Sequence, residues 1–92
     1  MSPNARDLTA TLQGNAVLLS YGIGIADGVT ILSRRESEPD FSPIAEDEPS
    51  PVCDTRPKLD PLRPETRYYR AILRYSSNEN RKLSNEVRLT LP

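Results

Sequence analysis

The sequence predicts an all-β domain in which seven antiparallel strands form a two-sheet sandwich. Apolar and polar residues alternate with a period of two in five segments, which is typical of strands with one buried face. Seven of the nine prolines lie between residues 39 and 64, where they prevent a helix of useful length. The length of 92 residues fits a single domain over residues 1–92.

Three strands are predicted in the first third of the chain. The first covers Leu8–Leu12, and the second covers Val17–Tyr21 after a turn at Gly14-Asn15. The third begins at Val29, directly after Asp27-Gly28. Gly, Asn and Asp tolerate the backbone angles of tight turns, so these pairs mark where the strands are separated.

The proline-rich middle predicts two short strands, near Phe41–Ile44 and Pro51–Asp54. Cys53 lies on the second of these and is expected to be a small, buried core residue. Alternation then predicts the two last strands, Tyr69–Tyr75 and Val87–Leu91, which are separated by a polar turn over residues 76–80. Together with the first three strands they make seven.

The faces of the sixth strand follow from the cost of burying charge. If Tyr68 faced the core, Arg70 and Arg74 would face it too, and unpaired buried guanidiniums are far too costly. The opposite register is therefore favoured. Its inward residues are Tyr69, Ala71, Leu73 and Tyr75.

Composition excludes several classes of function. The chain has no His and one Cys, so it lacks a His-based general base, a Cys-His pair, most zinc sites and an internal disulfide. Its 12 basic and 13 acidic residues give a net charge of −1, which argues against a general nucleic-acid binder. We expect no enzyme activity, no cofactor and no bound metal.

Motifs along the whole chain resemble a fibronectin type III domain of the immunoglobulin-like superfamily. Val17–Tyr21 resembles the second strand of that family, with Tyr21 where the family usually has Trp. The stretch Leu62-x-Pro64-x-Thr66-x-Tyr68-Tyr69 resembles the approach to the sixth strand, where a tyrosine hydroxyl bonds back to the preceding loop. The resemblance assigns structural roles to these motif residues. They are Tyr21, Leu62, Pro64, Tyr68 and Tyr69.

The two tyrosines leave one point open. Motif spacing selects Tyr68 for the corner, whereas alternation directs Tyr69 inward. Either Tyr69 forms the corner, or a bulge near Tyr68 resets the register.

Arginines supply the only candidate for an interaction face. In the sandwich, the third, sixth and seventh strands share one sheet, and its outward positions are Arg34, Arg70, Arg74 and Arg88. Stacked guanidiniums on adjacent strands could bind an anionic partner. The alternative is a solvated face cross-paired with nearby acids such as Glu86, where each pair contributes about 0–1 kcal/mol.

These observations predict a non-catalytic spacer or protein-interaction module within a larger protein. The alternative is a stand-alone binding protein or accessory subunit of an envelope or phage-type assembly. A protein partner and a monomeric isolated domain are expected, with no nucleic acid and no membrane span. The polar start Met1–Leu8 is unlike a signal peptide. The compartment stays open, although the resemblance favours an extracellular or cell-envelope location.

Overall fold

The structure, a computed structural model, describes residues 8–22, 27–74 and 81–92, with the backbone alone for 81–83. Every regular element in these ranges is a β-strand, so the predicted all-β class is confirmed. The strands are β1 (Thr9–Gln13), β2 (Ala16–Ser20), β3 (Gly28–Arg35), β4 (Ser42–Glu46), β5 (Val52–Asp54), β6 (Glu65–Arg74), β7 (Arg81–Leu83) and β8 (Val87–Leu91).

These strands form two antiparallel sheets. The small sheet has the order β1-β2-β5, and the large sheet has the order β4-β3-β6 with β7 and β8 beyond β6. β7 pairs with residues 72–74 of β6 and β8 pairs with residues 65–69, so these two segments share one strand position. The eight segments therefore fill seven positions, and the predicted two-sheet, seven-stranded arrangement is confirmed at this level.

Inward residues of both sheets form one apolar core. β6 contributes Tyr69, Ala71 and Leu73, each fully buried, as the favoured alternation predicts. Its pairing with β3 runs without a shift from Gly28 to Arg35, so no bulge resets the register near Tyr68. Tyr75, the fourth residue predicted on this face, lies outside the described residues. The core residues are Leu8, Val17, Leu19, Tyr21, Val29, Ile31, Tyr69, Ala71, Leu73 and Leu91.

Cys53 is exposed, so the prediction of a buried thiol is wrong. β5 spans three residues and pairs with β2 through Val17 opposite Asp54 and Leu18 opposite Cys53. Because directly opposed residues point to the same face, Asp54 joins Val17 on the inner face and Cys53 points outward. Three residues are too few for alternation to define which face is buried.

Cys53 should therefore react rapidly with a thiol reagent in the native protein. Exposure leaves no need for local unfolding before reaction, so the labelling rate should change little when denaturant is added. Titration with a bulky aromatic disulfide reagent, with and without denaturant, measures this directly. Slow native labelling that becomes fast in denaturant would contradict the exposed position.

The residues assigned structural roles by resemblance differ in their surroundings. Tyr21 lies in the core, and its hydroxyl donates to the backbone carbonyl of Glu48 at 2.5 Å. Burial, with a smaller contribution from Glu48, raises the pKa of this phenol. Leu62, by contrast, is 92% exposed, and Pro64 is exposed as well. The loop that includes Leu62 and Pro64 thus contributes nothing to the core at these two positions.

Candidate functional site

The outward face of the large sheet carries all four arginines singled out in the sequence. Register places Arg34 opposite Tyr68 on β6 and Tyr68 opposite Arg88 on β8, in one row across three strands. Arg70 is opposite Leu32 in the next row. We call this surface, with Phe41 at its β4 side, the arginine–aromatic face.

Aromatic rings support two of these guanidiniums. The Arg34 guanidinium carbon lies 4.3 Å from the centroid of the Tyr68 ring and 5.7 Å from that of Phe41. The Arg70 guanidinium lies 4.5 Å from the Phe41 centroid. Such cation–π contacts contribute about 0.5–1 kcal/mol at exposed sites. They also hold each guanidinium in a defined plane before any partner arrives.

Arg70 and Arg74 are already paired with carboxylates of the same chain. Arg70 contacts Glu86 through Nε at 2.9 Å and Nη2 at 2.6 Å. Arg74 donates to Thr30 Oγ1 at 2.5 Å and forms an ion pair with Asp47. This pair crosses the backbone at Gly28, where a Cβ would lie 2.5 Å from both Arg74 Nη2 and Asp47 Oδ1. Glycine is thus the residue that lets the Arg74–Asp47 pair approach the strand.

Arg34 and Arg88 differ from the other two. Among the side chains described in residues 8–22, 27–74 and 84–92, no carboxylate lies within 4.0 Å of either guanidinium. Arg34 Nη1 donates to the backbone carbonyls of Glu38 at 3.1 Å and Arg35 at 3.5 Å. Two of the four predicted arginines are therefore neutralised within the domain, and of these four it is Arg34 and Arg88 that have no carboxylate partner among the described side chains.

A second cluster of charges joins the two sheets inside the molecule. Asp54 of the small sheet is 3% exposed and Arg67 of the large sheet is 0% exposed. Asp54 Oδ2 accepts from Arg67 Nη1 at 3.2 Å and from the Tyr69 hydroxyl at 2.7 Å. We call this group, with Arg56 and Glu65, the inter-sheet network.

Arg56 and Glu65 complete the inter-sheet network. Arg56 bonds both carboxylate oxygens of Asp54 at 2.9 Å and reaches Ser33 Oγ on the large sheet at 2.9 Å. Glu65 Oε2 accepts from Arg67 Nε at 2.6 Å and from Arg35 Nε at 3.1 Å. Every buried side-chain nitrogen and oxygen in the described part of the chain has a hydrogen-bond partner, as buried polar groups require.

The protonation states of the inter-sheet network follow from these contacts. Burial alone would raise the pKa of Asp54, but hydrogen bonds from Arg56 and Tyr69 outweigh it and lower the pKa to about 2. Burial and the bond to Asp54 raise the pKa of Tyr69 to about 12. Asp54 accepts bonds from Arg56, Arg67 and Tyr69, so its lone pairs are occupied and it is poorly suited to take a proton from a substrate.

The inward tyrosine is Tyr69, and its hydroxyl bonds Asp54 on the small sheet instead of turning back to the loop before β6. Tyr68 points outward and supports Arg34. Sequence reasoning missed both the inter-sheet network and the role of Phe41 as a ring beneath Arg70. Alternation alone does place Arg67 on the face of Tyr69, and that was the available sign of a buried, paired arginine.

Taken together, the architecture is an all-β, two-sheet, sandwich-like domain whose outward face presents arginines and aromatic rings. Within the described residues there is no group of three or more Cys, Asp or Glu side chains arranged to hold a metal ion. Those residues also contain no helix with the length and apolar character needed to cross a membrane. No known protein family, no curated protein and no solved structure matches this chain.

Proposed function

We propose that this domain is a non-catalytic protein-interaction module of fibronectin type III type, and that it binds an acidic segment of a partner protein through the arginine–aromatic face. The observation that supports this most directly is the stacking of Arg34 on Tyr68 and of Arg70 on Phe41. Arg and Tyr are enriched among the residues that dominate binding energy at protein interfaces.

The shape and composition of the face fit this role. A sheet face is broad and nearly flat, which suits a protein surface or an extended segment better than a small molecule, which needs a concave pocket. Half-buried Leu32 and Ile72 lie between the arginines, so apolar contact area accompanies the charge. Stacking also reduces the side-chain entropy that an arginine loses on binding.

Titration of the labelled native domain with a capped hexaglutamate peptide, followed by backbone amide shifts, tests this function. We expect saturable shifts confined to the outward residues of β3, β6 and β8. Affinity should fall as salt rises from about 0.05 to about 0.5 M, because screening shortens the reach of charge. A capped hexaglutamine peptide of equal length is the neutral control. No saturable shift on this face, or equal binding of the neutral peptide, would remove the proposal.

A further inference from the structure

The four arginines of the arginine–aromatic face differ in whether they already have a carboxylate partner, and this difference indicates where on the face an acidic group would bind. Arg70 and Arg74 each have a carboxylate partner in the same chain. An incoming acid would have to displace Glu86 or Asp47 before it could bind them, so the new contact would be offset by the one lost. Arg34 and Arg88 have no carboxylate partner among the described side chains, so an incoming acid would displace none there.

We infer that Arg34 and Arg88 form a clamp, with Tyr68 between them, for a single carboxylate of an acidic segment of a partner protein. The inference rests on the proposed function and names the position on that face that recognises the partner. Arg34, Tyr68 and Arg88 stand directly opposite one another on β3, β6 and β8. Neighbouring strands are about 4.8 Å apart, so the backbones of Arg34 and Arg88, which flank β6, are about 10 Å from each other.

The position of Arg34 prepares it for a carboxylate. Its guanidinium lies over the Tyr68 ring at 4.3 Å, and Nη1 is held by the carbonyl of Glu38 at 3.1 Å. The hydrogen bonds described for Arg34 use Nη1 only, which leaves the edge formed by Nε and Nη2. That edge has the fork geometry that binds both oxygens of a carboxylate.

Arg88 supplies the second charge from the other side of Tyr68. It is exposed, and its position opposite Tyr68 directs it to the same face as Arg34. The Arg88 side chain is long and flexible enough to reach halfway from β8 to β3. A carboxylate at the Nε–Nη2 edge of Arg34 would then receive a bidentate contact from Arg34 and a further hydrogen bond from Arg88.

Four single variants titrated with the same capped hexaglutamate peptide separate the clamp from general attraction to a basic face. Arg34→Gln and Arg88→Gln should each weaken binding about ten-fold or more, since a hydrogen bond between charged groups is lost. Arg70→Gln should weaken binding by less than either of these two variants, because Arg70 has to leave Glu86 before it can bind a new carboxylate. Arg63→Gln is the matched control, because the Arg63 side chain is 82% exposed and lies in the loop before β6.

Arg34→Lys distinguishes a fork from a point charge. Lysine keeps the charge but loses the planar pair of donors, so the clamp predicts that Arg34→Lys binds as weakly as Arg34→Gln. Circular dichroism and thermal unfolding of each variant establish that it is folded, and the Arg88→Gln result stands independently because Arg88 is exposed.

The outcomes separate the clamp from the proposed function. Native-like binding by both Arg34→Gln and Arg88→Gln, with shifts still on the arginine–aromatic face, would overturn the clamp and leave the function standing. Restoration of binding in Arg34→Lys would overturn bidentate recognition. Absence of peptide binding to the native face would overturn the proposed function itself.

Discussion

Replacing Asp54 by Asn should lower the free energy of unfolding by about 3–5 kcal/mol, the cost of breaking a buried ion pair from one side. The change leaves Arg67, which is 0% exposed, without its carboxylate partner on the small sheet. The new amide group would also direct N–H donors toward the donors of Arg56 and Tyr69. A domain of this size is stable by about 5–15 kcal/mol, so the loss would be a large share of the total.

Urea unfolding of native protein and the Asp54→Asn variant measures this effect. Asp60→Asn is the matched control, because Asp60 forms an exposed pair with Arg63 at 3.5 Å. Such a pair contributes about 0–1 kcal/mol. Equal unfolding midpoints for the Asp54 and Asp60 variants would show that the inter-sheet network contributes little to stability.

Arg67→Met tests the same ion pair from its other side and should cost less, about 1–3 kcal/mol. Asp54 would keep its bonds from Arg56 and Tyr69. Glu65 would keep Arg35 and the amide of Leu59. Each of the three acceptors of Arg67 would lose one bond, but only the carbonyl of Arg56 would be left without any described side-chain donor. Methionine fills much of the vacated space. A larger loss of unfolding free energy for Arg67→Met than for Asp54→Asn would contradict the expectation that Asp54 contributes more than Arg67 to the stability of the inter-sheet network.

Acid should destabilise the domain through Asp54 by about 2 kcal/mol. The pKa of Asp54 is about 2 in the folded protein, below its ordinary value of 3.8. A carboxylate with a lowered folded pKa contributes stability that is complete above its unfolded pKa and is lost as the pH falls through the folded value. Stability should therefore begin to fall below about pH 4 and continue to fall to about pH 2.

Glu65 adds to this acid dependence in the same direction. Burial alone would raise its pKa, but bonds from the Leu59 amide and from Arg67 outweigh burial and lower it. Urea unfolding across this pH range, for native protein and Asp54→Asn, measures the contribution of Asp54 as the difference between the two profiles, and the contribution of Glu65 is part of the dependence that the variant keeps. The variant should lose less stability than the native protein as the pH falls. Parallel pH profiles for the two proteins would assign the acid sensitivity to other carboxylates.

Several features of this protein were predictable from the sequence because they depend on neighbours along the chain. Period-two alternation located β1, β2, β3, β6 and β8 and directed Tyr69, Ala71 and Leu73 into the core, whereas β7 was not predicted. The same alternation placed Arg70 and Arg74 on the outer face of β6, and only its extension back to Arg67 would have placed that residue on the inner face. Long strands contain enough alternating positions to distinguish the two faces, which is why the inward residues of β6 were predicted correctly although its start was predicted at Tyr69 and lies at Glu65.

Tertiary structure decided the features that join residues distant in sequence. The three residues of β5 carry too little pattern to define a face, so only pairing with β2 showed that Asp54, and not Cys53, points inward. That pairing brings Asp54 within 3.2 Å of Arg67, and this contact makes a buried arginine tolerable. Pairing of the strands likewise assigned Glu86 to Arg70 and left Arg34 beside Tyr68. Alternation reports which face a side chain occupies, whereas the charges that it meets there depend on how separate strands pack.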